Sequence, residues 1–297
     1  MTAPTERLVI APGQRRQTII GLIRSARRRL VLSIFRCDDD AVLRAIAETA
    51  RRGVQVQAIV TGRARAAGRD LDAVQAFLVV HGIDVRRQSD TRKYHAKYMV
   101  ADDATALIGS LNLTNKCFTR TCDFMLVTTD DAVVSGVSTL FEADWAGRPV
   151  TLAPAQAERL IIAPEHRPRE RVTQLVRAAR HRLRVIDAKF TDPHLLSLIA
   201  SRGKAGINVA VAGRDDVEPL VAHGKLLIVD QETAVIGSLA LNANAIETRR
   251  ELAVVTHDAR VIGQLDRFWC SLSASRRYAT SARSVPGKIE EIQEMRP

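Results

Sequence analysis

Seven residues near the start of the chain, Glu6-Arg7-Leu8-Val9-Ile10-Ala11-Pro12, return 152 residues later as Glu158-Arg159-Leu160-Ile161-Ile162-Ala163-Pro164. Self-similarity at half the length of a 297-residue chain means two copies of one unit. Each copy runs into a basic amphipathic segment and then a β-rich stretch, 19–26 then 30–35 in the first and 172–179 then 183–186 in the second. A second helical pattern follows (41–51; 193–200), then an apolar strand (54–61; 207–212), with Gly53 and Gly206 as helix terminators. Strands alternating with helices predict an α/β layered sheet in each half.

The halves then diverge. The first carries an additional helix and strand, 71–80 and 81–85, that the second lacks. Both converge on a shared segment and close with an apolar strand (124–128; 252–256) and a helix bearing Phe141 and Trp145 or Phe268 and Trp269, which read as core. The expected division is repeat one at 1–150, repeat two at 151–275 and a polar tail at 276–297, ending in a short acidic helix at 289–295. The join falls at 147–156, which holds Pro149 and Pro154.

The shared segment carries the chemistry. Repeat one reads His95-Ala-Lys97-Tyr-Met-Val-Ala-Asp102, six residues, then Gly109-Ser110-Leu-Asn112; repeat two reads His223-Gly-Lys225-Leu-Leu-Ile-Val-Asp230, six residues, then Gly237-Ser238-Leu-Ala240. From average residue frequencies one complete pattern arises at a given start with a probability on the order of one in 10⁸. Residues i and i+2 of a strand share a face, so His95 pairs with Lys97 and His223 with Lys225. The Gly-Ser turns bring a hydroxyl beside that face. Each half therefore offers an imidazole, an ammonium, a hydroxyl and, in repeat one, an amide: half of a phosphate clamp. Two halves related by a pseudo-two-fold axis would set His95 and His223 on opposite sides of one phosphate. One imidazole then attacks phosphorus while the other protonates the leaving oxygen, and the lysines neutralise the equatorial oxygens. Those lysines would repel a cation at the same spot, so no metal and no cofactor is expected. Asp102 and Asp230 fall on the opposite face and read as structural supports.

These segments resemble the His-x-Lys-x4-Asp-x6-Gly-Ser-x-Asn signature of the phospholipase D superfamily, over nearly the whole chain except the tail. The resemblance implies two α/β halves sharing a core, an active site at their seam and a covalent phosphohistidine. It also implies a downstream acid that orients each histidine, for which Asp123 and Glu251 stand in place. Repeat two departs from the pattern with Ala240 where the family has Asn, and Asn242 is the candidate substitute. Since repeat one is complete, His95 is expected to be the nucleophile and His223 the general acid.

A net charge of +11 and a pI of about 10.1 favour a polyanionic partner, either nucleic acid or an anionic phospholipid surface. Arg86, Arg87, Arg92, Arg249 and Arg250 are candidates to line its track. With no stretch of about 18 apolar residues and no secretory pattern, a cytoplasmic protein, possible peripheral contact with the inner membrane, and a monomer are expected. The four cysteines, Cys37, Cys117, Cys122 and Cys270, lack a disulfide framework and read as reduced. The leading expectation is a metal-independent phosphodiesterase acting on nucleic acid or a generic phosphodiester. The alternatives are a phospholipase D or phosphatidyl transferase, and a catalytically weak nucleic-acid-binding protein.

Overall fold

The computed structural model describes residues 5–62, 71–88, 92–214 and 216–278, with side chains through Leu272. The acidic helix expected at 289–295 lies outside the described residues. Repeat one comprises β1 (Glu6–Val9), α1 (Pro12–Ser25), β2 (Arg29–Ile34), α2 (Asp40–Arg51), β3 (Gln55–Val60), α3 (Leu71–Val80), β4 (Asp84–Arg87), β5 (Tyr98–Ala101), β6 (Thr105–Gly109), α4 (Asn115–Thr119), β7 (Thr121–Cys122), β8 (Met125–Thr128) and α5 (Asp131–Ala146). Repeat two comprises α6 (Pro154–Arg159), β9 (Leu160–Ala163), α7 (Pro168–Ala178), β10 (Arg182–Ile186), α8 (Pro193–Lys204), β11 (Asn208–Ala212), β12 (Val221–Ala222), β13 (Lys225–Val229), β14 (Thr233–Gly237), α9 (Ala243–Glu247), β15 (Glu251–Thr256) and α10 (Ala259–Tyr278).

The sheets carry the repeat in their topology. The first is ordered β1-β8-β6-β5-β2-β3-β4 and the second β9-β15-β14-β13-β10-β11, the same arrangement without the outermost strand. In both, the strands joined by a long crossover helix are parallel (β2–β3 through α2, β10–β11 through α8), and the other pairs the halves share are antiparallel, including β6–β8 and β14–β15, whose connections carry only the short α4 and α9. That pattern follows from connection length, because a parallel pair needs a crossover and a hairpin does not. The additional unit of repeat one is α3 with β4, which adds to β3 in parallel. Its strand starts later than the sequence suggests, since Gly82 takes a φ of +75° and finishes the turn before Asp84.

Matching local devices build the two halves. Asp39 and Asp192 cap α2 and α8 by accepting the N–H of Val42 and Leu195. Gly53 and Gly206, with φ of +84° and +88°, end the same helices. Asp102 and Asp230 sit in left-handed turns after β5 and β13, and each carboxylate accepts three consecutive backbone N–H groups. Those are Arg27, Arg28 and Arg29 in repeat one, and Arg180, His181 and Arg182 in repeat two. These acids fasten the entries of β2 and β10, the structural role their face of the strand suggests.

Three apolar cores result. One lies beneath α1, α2 and α3 on the outer face of the first sheet, and one beneath α7 and α8 on the second. The third is shared: the inner faces of both sheets meet there with α5 and α10, including Phe124, Phe141, Leu160, Ile162, Leu265 and Trp269. Phe141 and Trp269 are therefore core, as their spacing suggests. Helix α10 continues to Tyr278, three residues into the stretch expected as tail. Among the described residues no helix is long and apolar enough to cross a membrane.

Candidate active site

The seam between the sheets is stitched by two short crossings. Ahead of His95, Tyr94 bridges in parallel to Arg250; ahead of His223, β12 pairs in parallel with β7. The His95 N–H donates to the Arg250 carbonyl at 2.8 Å, and the N–H groups of His223 and Gly224 both donate to the Cys122 carbonyl, at 3.2 and 2.7 Å. Each histidine is thus held by the strand of the opposite repeat that carries that repeat's acid. His95 Nδ1 lies 2.8 Å from Glu251 Oε2, and His223 Nδ1 lies 2.8 Å from Asp123 Oδ1. The acids have been exchanged: the carboxylate of each repeat serves the histidine of the other, and neither half contains a complete site.

Both Nδ1 atoms are occupied by a carboxylate, so both Nε2 atoms are left for chemistry. Lys97 and Lys225 stand under the imidazoles, each bonding the carbonyl of its own histidine through Nζ. His95 begins just before β5 rather than inside it, yet the i, i+2 relation to Lys97 holds. Asn112 is nearly buried, lines a pocket with Phe35 and Lys97, and leaves Oδ1 without a partner.

The two histidines differ. Burial, then the positive charge of Lys97, Lys225 and Lys93, pushes the His95 imidazole well below its usual value. Burial lifts Glu251 to about 7 against the pull of Lys97, and lowers Lys97 to about 7 against the pull of Glu251. Asp123 is different: burial would raise it, but the charge of His223 and hydroxyls from Ser110 and Thr121 hold it below the ordinary carboxylate range. The His223 side chain is 29% exposed and that of His95 only 13%, so the side of the cleft without an extra helix and strand is the more open.

Several sequence-predicted residues sit elsewhere than expected. Ser110 and Ser238 do not reach the cleft: both are buried, Ser110 donating to Asp123 at 2.6 Å and accepting the Phe124 N–H, Ser238 accepting the Leu252 N–H beside Glu251. They support the acids instead of touching phosphate. Asn242 does not replace the missing amide. It caps α9 by accepting the Ala245 N–H, as Thr114 caps α4, and Ala240 fills the place of Asn112 with a buried methyl. The arginine track is also corrected. Arg250 is buried and bonds Asp144 Oδ1 at 2.8 Å and Glu165 Oε2 at 3.1 Å, while Arg87 pairs with Asp72 and Arg92 with Glu165. Arg86 lies against the turn at Gly147. Of the five, Arg249 remains near the cleft, where its charge reaches Glu251.

Other contributors gave no sign in the sequence. Arg15, inside the buried stripe of α1, is fully buried and donates to the carbonyls of Cys117, Thr121, Ile10 and Asp123, bracing the loop that presents Asp123. Phe35 meets His95 edge-on at 4.6 Å. Asp187 is buried near Lys225, accepts the Leu241 N–H at 2.7 Å, and has no acidic counterpart at Ile34.

Gly224 shows how tight the crossing is. A Cβ there would stand 2.6 Å from the Phe124 ring and 2.9 Å from the Cys122 carbonyl. Gly224→Ala is expected to destabilise the fold by about 1–3 kcal/mol. It should also cut activity by displacing His223 from Asp123, with melting temperature and rate measured on the same preparation; an unchanged rate would mean the crossing does not set the geometry.

A metal fits this donor set poorly. Cys117, Asp123 and His223 have ligand atoms within 4.8 Å of one another. Both Asp123 oxygens, however, already bind His223, Ser110 and Thr121, and burial raises the Cys117 thiol away from the thiolate a metal needs.

Against known proteins, the family described as "Cardiolipin synthase, PLD-like domain" matches twice, over residues 19–145 and 151–270. The chain belongs to the phospholipase D-like family. Cardiolipin synthase A of Pseudomonas aeruginosa is 30% identical over 134 residues, 43% of this chain and 26% of that one. Mitochondrial cardiolipin hydrolase of Xenopus laevis is 30% identical over 121 residues, 40% of this chain and 56% of that one. The matched parts thus span about a quarter and just over half of these phospholipase D-like relatives. The fold is shared with phosphatidylserine synthase of Haemophilus influenzae (TM-score 0.70, 13% identity, 89% of this chain and 85% of that one). It is also shared with polyphosphate kinase of Porphyromonas gingivalis (TM-score 0.74, 17% identity, 90% and 47%).

Proposed function

We propose that this chain is a phosphodiesterase that works through a phosphohistidine on His95. The supporting observation is the exchanged pair of acids, which leaves two imidazole Nε2 atoms free in one cleft with different electrostatics. His95 is the nucleophile: its depressed basicity keeps it neutral, and Glu251 fixes the proton on Nδ1. Its Nε2 lone pair attacks phosphorus as the bond to the leaving oxygen breaks, and His223 Nε2 donates a proton to that oxygen. Asp123, ionised and bonded to Nδ1, stabilises the imidazolium form that this role requires. Water then attacks phosphorus with His223 as base, the phosphorus–nitrogen bond breaks and His95 is regenerated. Lys97 and Lys225 neutralise the equatorial oxygens, the part a metal plays elsewhere, and the Asn112 amide N–H donates to them.

Nucleic acid or a generic phosphodiester remains one substrate reading, carried by the net charge of +11. The second is a phospholipid, hydrolysed or transferred, and it is favoured by the names of the matched relatives, a cardiolipin synthase and a cardiolipin hydrolase. Incubation with bis(p-nitrophenyl) phosphate, plasmid and single-stranded DNA, and phosphatidylcholine or cardiolipin vesicles, all with EDTA, separates them. Release from the generic diester supports the phosphodiesterase reading, and the preferred natural substrate decides between the two. Loss of all cleavage in EDTA contradicts it.

The pH profile has a predicted sign. Glu251 must be ionised to hold the proton on His95 Nδ1, and its carboxyl titrates near 7. Activity measured as kcat/KM is therefore expected to fall as pH drops through about 7 and again as it rises past about 7 and Lys97 loses its charge, and Glu251→Gln to remove the acid limb while lowering the maximum. A flat profile down to pH 5 in the wild type would detach Glu251 from the step.

A further inference from the structure

The pseudo-symmetry breaks in charge at the mouth of the cleft. Around Phe35, whose ring lies edge-on to His95, stand Lys97 Nζ at 4.7 Å, Lys93 Nζ at 5.0 Å and Arg36 Cζ at 5.5 Å from the ring centroid. Lys97 belongs to the scissile phosphate. Lys93 is two residues ahead of His95, and Arg249, two ahead of Glu251, comes against it from the other repeat because Tyr94 bridges to Arg250. Lys189, just past β10, completes the group: its charge reaches Lys93, and Arg249 reaches both. After burial, the charge of Arg249 and Lys189 lowers Lys93, and the charge of Lys225 and then Arg249 lowers Lys189.

Among the described residues Lys93, Lys189 and Arg249 have no ion-pair partner, although the chain pairs Arg16, Arg29, Arg159, Arg169 and Arg184 with acids. The corresponding crossing beside His223 holds Val221 and Thr121 at the places of Lys93 and Arg249 and carries no charge there. Gathering three cations that form no ion pair, offset only in part by the buried carboxyls of Glu251 and Asp187, costs free energy in the unliganded protein, and an anion bound among them recovers it. The excess lies outside the two His-Lys pairs, so the scissile phosphate does not use it.

We propose that Lys93, Lys189 and Arg249 form a second anion subsite next to the scissile-phosphate pocket, holding another phosphate group carried by the same substrate. The subsite makes the protein selective for substrates with two or more closely spaced phosphates. It rests on the phosphodiesterase reading for its bearing on turnover, but not for binding.

The test uses paired probes that differ by one phosphate. Thymidine 5′-(p-nitrophenyl phosphate), with and without a 3′-phosphate, reports turnover as released p-nitrophenolate. Thymidine 3′,5′-bisphosphate against thymidine 5′-phosphate, and glycerol 1,3-bisphosphate against glycerol 1-phosphate, report binding by calorimetry at low salt. The wild type is expected to prefer the doubly phosphorylated member of a pair by about tenfold, which a few half-exposed cations supply. In Lys189→Ala, Arg249→Ala and the double variant, checked for an unchanged melting temperature, the ratio should fall towards one. Preference only in the nucleotide pairs assigns the second phosphate to nucleic acid, and preference only in the glycerol pair to a lipid headgroup. If no pair shows a preference, or the preference survives the double variant, the subsite is overturned. If the binding preference is present and lost in the variants while neither chromogenic probe is cleaved, the subsite stands and the phosphodiesterase reading falls.

Discussion

Replacing His95 with alanine is expected to lower the rate of phosphodiester cleavage by at least about 10⁴-fold, with little change in folding. The side chain is mostly enclosed but makes few structural bonds: its Nδ1 reaches Glu251, and its ring contacts the edge of Phe35. In the proposed mechanism, removing it takes away the atom that forms the new bond to phosphorus, which no neighbour can replace. Lys97 and Lys225 are cations that bond backbone carbonyls, and His223 is committed to Asp123. The rate with bis(p-nitrophenyl) phosphate and a thermal melt give both readouts. Residual activity within tenfold of the wild type would remove His95 from the chemistry.

The second large effect concerns the acids. Glu251→Gln and Asp123→Asn keep shape and volume but lose the charge that fixes each imidazole tautomer, and each is expected to cost about 10³–10⁴-fold in kcat. The two variants should differ in pattern. Loss of the Glu251 charge disables attack by His95 whatever the leaving group. Loss of the Asp123 charge disables His223 as acid and base, so a p-nitrophenolate leaving group, which departs without a proton, should partly spare the first step, seen as a burst, while hydrolysis of the intermediate stays slow. Because the acids are exchanged between repeats, neither repeat expressed alone should turn over substrate, and mixing separately expressed repeats is the natural complement. An active isolated repeat would contradict the exchange.

Much of this was legible in the sequence. The repeat, the element order, the additional helix and strand of repeat one and the His-Lys pairs follow from periodicity and spacing, since these are local. Asp102 and Asp230 were legible as supports because a strand alternates its faces. What the sequence hid depends on which parts meet across the seam. Nothing in the spacing from Asp123 to His95 or to His223 says which histidine it serves. Arg250 lies beside Arg249 in sequence, yet one enters a buried network with Asp144 and Glu165 and the other faces the cleft. Arg15 looks like part of the polar face of a basic helix until four carbonyls close around it. Ser110 and Ser238 carry the expected residue type at the expected place, but the strand turns their hydroxyls to the acids behind the site.

The proposed mechanism requires a covalent phosphoryl group on His95 that His223 helps to remove. The most direct test is His223→Ala incubated with bis(p-nitrophenyl) phosphate in EDTA, followed through the first turnover and then digested under alkaline conditions for peptide mass analysis. A burst of about one p-nitrophenolate per chain is expected, then slow turnover because the base for hydrolysis is gone, with a p-nitrophenyl phosphoryl adduct on the peptide containing His95. Absence of both burst and adduct, or an adduct on another residue, would contradict it.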